Sequence, residues 1–246
     1  MSTLVYLVRT IDLLQRLRRY SVFDRETFAS LAGLEPASAS TRLSRLVQDD
    51  RIERLWRDAY TVHNDPLLVA THLAFPSYIS LWYALSYHGF TLQVPHEISV
   101  LTTMRTFRPS IEYEGLRISF TTIPSSLLFG YQKLVIEGLE VFMATPEKAL
   151  VDAVLLRSIS PSEIFSIMED NADALDVPKL VDYVKHAGSG TLTKRIGYML
   201  TVLGHEVYGQ LDDLVYPTVV PLDTTLPFSG RTDEKWKILD NAGLMT

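Results

Sequence analysis

The feature that most constrains the fold is the order of apolar spacings within the first 64 residues. Residues 4–20 carry apolar side chains at helical spacing, namely Leu4, Leu7, Val8, Ile11, Leu14 and Leu17. The stretch "RETFASLA" predicts a second helix, which Asp24 can cap and Gly33 can end. A third helix is predicted after Pro36, with an apolar face formed by Ala39, Leu43, Leu46 and Val47.

Beyond "QDD" the pattern changes to two short extended runs, "RIERLW" and "AYTVH", on either side of Arg57-Asp58. Such a pair predicts a β-hairpin. Three helices followed by a hairpin is the order of elements in a winged helix-turn-helix domain, whose third helix enters the major groove of DNA. We therefore predict a winged helix-turn-helix, DNA-binding domain over residues 1–64.

Polar residues on the third helix and on the hairpin are the candidate DNA contacts. Small hydroxyl side chains allow close approach to phosphates, and two arginines three positions apart can reach phosphates or a guanine edge. Arginines on the hairpin would contact the adjacent backbone. The predicted DNA-binding residues are Ser38, Ser40, Thr41, Arg42, Arg45, Arg54 and Arg57. The alternative is a small helical domain with a solvated polar face that binds protein.

Charge also differs between the two parts of the chain. Residues 1–64 hold ten arginines and eight acidic residues, a net charge of +2, whereas residues 65–246 have a net charge of −8. Net charges of opposite sign suggest two modules, of which the first is the candidate for nucleic-acid binding.

The second module, residues 65–246, is predicted to be α+β, with strands first and then mostly helices. We interpret residues 64–77 as a connection and "SLWYALSYHG" as a helix capped by Ser80. Five extended runs follow, with Glu114-Gly115 and Glu137-Gly138 as two-residue hairpin turns. From Pro146 the chain is predicted to be mostly helical.

Signatures of enzymes are largely missing from the sequence. It contains no glycine-rich phosphate loop and no nucleophile elbow, and its six histidines are not spaced as metal ligands. The absence of cysteine excludes disulfides, thiolate metal sites and cysteine nucleophiles. We expect no catalytic residue, no metal and no cofactor, and hence no enzyme. Two alternatives stay open: a nuclease using Glu112 and Glu114, and an activity around Glu147 and Lys148.

The segment "ATPEKALVDAVL" resembles an active site, yet each of its residues has a structural interpretation. Thr145 fits a helix N-cap, Pro146 the first helical position, and Glu147 the positive end of the helix. Ala149, Leu150, Ala153 and Val154 form an apolar stripe. Lys148 and Asp152, four apart, are predicted to form a surface pair of minor energy.

Two blocks of the sequence resemble the AbiEi-type antitoxins of type IV toxin–antitoxin systems. One is Ser-x-x-x-Ala-Leu-x-x-His-Gly, at residues 80–89, and the other is Ala-Thr-Pro-Glu-Lys-Ala-Leu-x-Asp, at residues 144–152. The closing "WKILDN" is also similar. The similarity in sequence covers residues 75–155 well. In the rest of the chain only the order of the predicted elements is similar.

The resemblance implies a transcriptional autorepressor that binds inverted repeats in its own promoter, as a monomer or dimer on double-stranded DNA. It also implies that the second module neutralises a nucleotidyltransferase-like toxin without a stable complex. No apolar stretch approaches the roughly 18 residues of a membrane span, so we expect a soluble, cytoplasmic protein with no membrane partner. The alternative is a winged-helix transcription factor whose second module senses a small molecule.

Overall fold

The computed structural model describes residues 2–105 and 108–245, without the side chains of residues 2–9. The chain is α+β. It divides into two compact units, each assembled from separate segments. The first unit comprises Met1–Ile79, His96–Ile123 and Lys133–Met143, and the second comprises Ser80–Pro95, Pro124–Gln132 and Ala144–Thr246. The first unit therefore extends past residue 64, and the predicted division at 64/65 stays a prediction.

The first unit begins with three helices and a hairpin. The helices are α1 (Ser2–Leu17), α2 (Arg25–Ala32) and α3 (Pro36–Gln48), and the hairpin strands are β1 (Glu53–Trp56) and β2 (Ala59–Thr61). Asp24 caps α2 by accepting a hydrogen bond from the Thr27 amide at 2.8 Å, and Gly33 ends it in a left-handed conformation at φ 63°. The predicted elements of this region are confirmed.

The predicted apolar face of α1 is only partly confirmed. Leu4, Leu7 and Val8 lie outside the residues whose side chains are described. Leu17 is buried, but Ile11 is 50% exposed and Leu13 is buried instead. Each residue turns a helix by about 100°, so Ile11 and Leu13 lie on nearly opposite sides of α1. The prediction therefore placed the apolar face of α1 on the wrong side of the helix at residue 11.

A six-stranded sheet lies mostly in the first unit, with Ser80, Tyr131, Gln132 and Ala144 at its strand ends assigned to the second. Its strands are β3 (Ser77–Ser80), β4 (Glu97–Thr102), β5 (Ser110–Tyr113), β6 (Leu116–Thr122), β7 (Tyr131–Ile136) and β8 (Leu139–Ala144), in the order β5-β6-β4-β3-β8-β7. The pairs β4–β6 and β3–β8 are parallel, and β5–β6 is antiparallel. Both predicted two-residue turns are present, with Glu114 and Gly115 at φ 47° and 77°, and Glu137 and Gly138 at φ 51° and 80°.

The stretch over residues 64–77, interpreted as a connection, contains regular structure. A short helix, α4 (Pro66–Ala70), is capped by Asp65, and β3 begins at Ser77. Every residue of α4 and of β3 is buried. Elements this short and buried on all sides show neither the helical nor the strand period, so the sequence pattern could not reveal them.

The second unit is mostly helical. It contains α5 (Leu81–Tyr87), α6 (Pro146–Leu156), α7 (Pro161–Asp170), α8 (Val177–Ala187), α9 (Gly190–Val202) and α10 (Tyr208–Leu211), with short 3-10 turns at Ser125–Leu127 and Asp212–Leu214. A small sheet follows, formed by β9 (Val220–Pro221), β10 (Arg231–Asp233) and β11 (Ile238–Asp240). Helices α4 and α5 precede most strands, and this small sheet follows the helices. The predicted order of strands first and then helices therefore gains no support.

A buried tryptophan joins the small sheet to α9. Trp236 is fully buried, and its indole N–H donates to the Thr201 hydroxyl at 2.9 Å. A β-carbon added to Gly197 on α9 would lie 2.2 Å from the Trp236 ring. Glycine at this position therefore allows the ring to pack against the helix backbone.

None of the helices within the described ranges combines the length and apolar character needed to cross a membrane.

Candidate nucleic-acid interface

Helix α3 presents one buried and one polar face. Ala39, Leu43 and Leu46 are at most 2% exposed and fix the buried face. Opposite them, Ser38 and Thr41 are exposed and Ser40 is half-buried. The helix therefore offers a row of small polar side chains to a ligand outside the domain.

The hydroxyl groups on this face are partly engaged with the helix itself. Ser40 donates to the Pro36 carbonyl at 3.2 Å, and Thr41 donates to the Ala37 carbonyl at 3.4 Å. A hydroxyl has one proton, so these side chains must rotate before they can donate to a phosphate oxygen. Both bonds are longer than the usual length of about 2.5–3.0 Å for an O–H···O hydrogen bond, so breaking them costs little.

The two arginines of α3, predicted to act as a pair, have different environments. Arg45 is exposed in the last turn. Arg42 is half-buried, and its Nη2 donates to the Thr10 hydroxyl of α1 at 3.4 Å. Arg45 is therefore available to a ligand, whereas Arg42 also anchors α3 to α1.

The hairpin is attached to the start of α2 by backbone and side-chain contacts. Phe23 and Tyr60 exchange both of their backbone hydrogen bonds at 2.9 Å. The turn residue Asp58, at φ 60°, accepts a hydrogen bond from the Arg25 amide at 3.2 Å. These contacts fix the hairpin beside α2 and leave Arg57 exposed at its tip.

Arg54 lies across the hairpin surface. Its Nε donates to the Trp56 carbonyl at 3.3 Å, and its guanidinium lies 5.9 Å from the centre of the Tyr60 ring. The side chain is exposed, so it can meet a phosphate from this position.

The hairpin also packs against the sheet of the same unit. The rings of Trp56 and Phe120 lie 4.9 Å apart, and the Tyr113 hydroxyl donates to the His63 carbonyl. Burial, and then the nearby carboxylate of Glu53, raise the pKa of Tyr113. The hydroxyl is thus held in its protonated form and remains a hydrogen-bond donor.

Acidic side chains lie close to the hairpin arginines. A cavity of about 610 Å³ is lined by Arg51 and Arg54 together with Asp50, Glu53 and Glu114. Burial, and then repulsion from Glu114 and Asp50, raise the pKa of Glu53. Asp50, Arg51 and Glu53 were not among the predicted site residues, although the charge-rich run "QDDRIER" is the signal that points to them.

The second unit contains a buried polar network that the sequence interpretation missed. Lys148 and Asp152 of α6 form an ion pair with side chains 0% and 3% exposed, and Ser80 donates to Asp152 at 2.7 Å. The prediction of a surface pair is therefore wrong. Nearly every position of α6 is buried, from Glu147 to Val154, so a spacing of four residues could not show whether the pair faces solvent.

The surroundings of Lys148 are aromatic and tightly packed. Its ammonium group lies 4.8 Å from the centre of the Phe129 ring, and a β-carbon on Gly130 would approach its side chain to 3.0 Å. Burial lowers the pKa of Lys148, while Asp152 opposes that shift. The Lys148 side chain is thus fully enclosed by its neighbours.

The two sequence blocks that carry the family resemblance contact each other twice. Ser80 of the first block binds Asp152 of the second, and His88 Nε2 lies 2.9 Å from the Ala144 carbonyl oxygen. The caps of α6 follow the sequence interpretation, with the Thr145 hydroxyl accepting from the Lys148 amide at 3.4 Å. The buried Glu147 carboxylate also forms an ion pair at 2.9 Å with Lys179, whose side chain is 34% exposed.

The carboxylates considered for metal binding are not grouped. Glu112 forms an exposed ion pair with Arg117 at 2.8 Å across the β5–β6 pair, and Glu114 lies in the tight turn. Across residues 2–105 and 108–245, no three histidine, aspartate or glutamate side chains come close enough to hold a metal ion.

No protein-family model matches the chain, and no curated protein matches it either. A proposal of function therefore depends on the contacts within this chain and on the motifs in its sequence.

Proposed function

We propose that this protein binds double-stranded DNA through a winged helix-turn-helix domain formed by residues 1–64, and that it represses its own promoter. One observation carries the proposal. The exposed polar face of α3 lies in the same unit as a hairpin that is bound to the start of α2. A helix entering the major groove and a hairpin beside it are the two contacts that such a domain makes with DNA.

The Phe23–Tyr60 bridge supports the winged-helix assignment. It adds a short extended segment, located between α1 and α2, to the edge of the hairpin. The hairpin is thereby fixed to the helical part of the domain rather than attached by its ends alone. An exposed arginine at the hairpin tip, Arg57, and another on α3, Arg45, then provide phosphate or base contacts.

We propose further that the second unit is that of an AbiEi-type antitoxin acting on a nucleotidyltransferase-like toxin. The support is that the residues of the two resembling blocks, which are far apart in sequence, hydrogen bond to each other in one unit. Their role is structural, because Ser80, Lys148 and Asp152 are all at most 2% exposed. This favours a binding protein over an enzyme.

Promoter binding is tested by fluorescence anisotropy with the DNA upstream of the coding sequence. Arg45→Ala is expected to weaken binding by about 1–3 kcal/mol if the side chain reads a base. If it contacts a phosphate, the loss is uniform across sequences and the salt slope falls by about 1. Arg117→Ala, an exposed arginine paired with Glu112 on the sheet, is the matched control and is expected to bind like the parent.

Equal affinities for parent, Arg45→Ala and Arg57→Ala would rule out the proposed interface. An affinity that does not change with salt would count against DNA binding as a whole, because phosphate contacts release counterions.

The antitoxin role is tested by co-expression with an adjacent nucleotidyltransferase-like reading frame. Growth arrest by that gene alone, relieved by this protein, supports the proposal. Arrest that persists with this protein present at high level would contradict it.

The second candidate, a winged-helix transcription factor that senses a small molecule, is favoured by one observation. The second unit contains a small cavity lined by two arginines, Arg157 and Arg195.

A further inference from the structure

A cavity of about 120 Å³ lies within the second unit, between the end of α6, helix α9 and the loop that follows β9. Two arginines, Arg157 and Arg195, line it, together with hydroxyl-bearing residues that include Ser158 and Thr224. Arginine guanidinium groups and hydroxyl groups are the hydrogen-bond donors with which proteins bind oxyanions.

Arg195 is the central observation. Arg195 is only 4% exposed, and its Nη2 donates to the Pro221 carbonyl at 3.1 Å. Its Nε is buried, and no acceptor for this N–H exists among the residues that the structure describes. A buried charged donor without an acceptor is costly, and such groups in native proteins often mark the place of a bound ion.

A second positive charge increases that cost. Arg157 ends α6 in a left-handed conformation at φ 54°, and it lines the same cavity. Burial, and then the charge of Arg157, lower the pKa of Arg195. Two like charges at one small cavity are unfavourable unless an opposite charge is present.

The carboxylate in the cavity wall compensates for only one of these charges. Asp223 is 2% exposed, and its Oδ1 accepts hydrogen bonds from the amide and hydroxyl of Thr225 at 2.8 and 2.6 Å. The cavity thus retains one excess positive charge.

The volume restricts the ligand. A single water needs roughly 10–15 Å³, whereas pockets for drug-sized molecules measure about 300–1,000 Å³. The cavity therefore accommodates a polyatomic ion or one charged group of a larger molecule, and it excludes a whole nucleoside.

We propose that this cavity binds a phosphate group, with Arg195 Nε and the Arg157 guanidinium as donors. The group is either free phosphate or the phosphate of a monoester whose remainder stays outside the cavity. This inference does not rest on DNA binding, since every residue involved belongs to the second unit.

The test is isothermal titration of the full chain with inorganic phosphate and, separately, with adenosine 5′-monophosphate, both at constant ionic strength set with chloride. Phosphate is expected to bind and to raise the melting temperature by an amount that grows with the logarithm of the phosphate concentration above the Kd. Arg157→Gln, an exposed position that can be changed without unfolding the protein, is expected to weaken binding at least tenfold. Arg231→Gln removes an exposed arginine from β10 and is expected to bind like the parent.

Tighter binding of the monophosphate than of phosphate would identify a monoester as the ligand, and equal binding would identify free phosphate; either supports the site. Absence of phosphate binding by the parent would overturn the proposal. Equal loss of affinity in Arg157→Gln and Arg231→Gln would also overturn it, because binding would then depend only on overall charge. None of these results bears on promoter affinity, so the two proposals fail independently.

Discussion

Replacement of Asp152 by alanine tests the buried network of the second unit most directly. In the parent, the Asp152 carboxylate pairs with the Lys148 ammonium and accepts from Ser80. Asp152→Ala would remove the carboxylate that pairs with this enclosed ammonium group. Breaking a buried pair in this way costs about 3–5 kcal/mol of the free energy of unfolding.

The double variant Lys148→Met, Asp152→Leu separates the charge from the packing. Replacing a buried ion pair by apolar residues of similar volume is often neutral or stabilising. The Ser80 hydroxyl then lacks its Asp152 acceptor, which costs about 1–3 kcal/mol. The double variant is therefore expected to be more stable than Asp152→Ala alone.

Urea unfolding followed by circular dichroism measures both effects. The control is Glu140→Ala, which breaks a Lys133–Glu140 pair of 2.8 Å whose side chains are 53% and 52% exposed. Such exposed pairs contribute about 0–1 kcal/mol. If Asp152→Ala lost no more stability than Glu140→Ala, the inference that an enclosed ammonium group depends on its carboxylate would be refuted.

Two further substitutions follow from the geometry. Because the pKa of Glu53 is raised above the ordinary 4.5, the folded state holds this proton more tightly than the unfolded state, and stability falls as the pH rises through the folded pKa. Glu53→Gln is thus expected to be more stable than the parent at neutral pH, with no difference below pH 4.5; urea midpoints that differ equally at all pH values would contradict this. Gly197→Ala would force a methyl group into the Trp236 ring and is expected to lower the free energy of unfolding by about 1–3 kcal/mol or more. Its control is Gly209→Ala in α10, where an added β-carbon has no described neighbour within 4 Å; equal melting temperatures for the two variants would show that the close contact is not present.

The sequence was informative where a local signal sets the structure. Caps such as Asp24 and Thr145, and turns such as Glu114-Gly115, act within a few residues, so the elements that they bound were predictable. The pairing of β4 with β6 depends on contacts across the sheet, and nothing in either strand indicates its partner. For candidate site residues too, contacts with residues distant in sequence could not be predicted. Arg42 was recognisable as a polar residue of α3, but its anchoring to Thr10 depends on how α3 lies against α1.

The discontinuous first unit has a consequence for folding during synthesis. Its N-terminal helices and hairpin are complete in the chain by residue 64, but its last segment extends to residue 143. At about 5–20 residues per second, roughly 4–16 s separate the emergence of these two points from the ribosome. Trp56 lacks its Phe120 neighbour for much of that interval. A truncated chain that stops at residue 64 would lack this ring contact permanently.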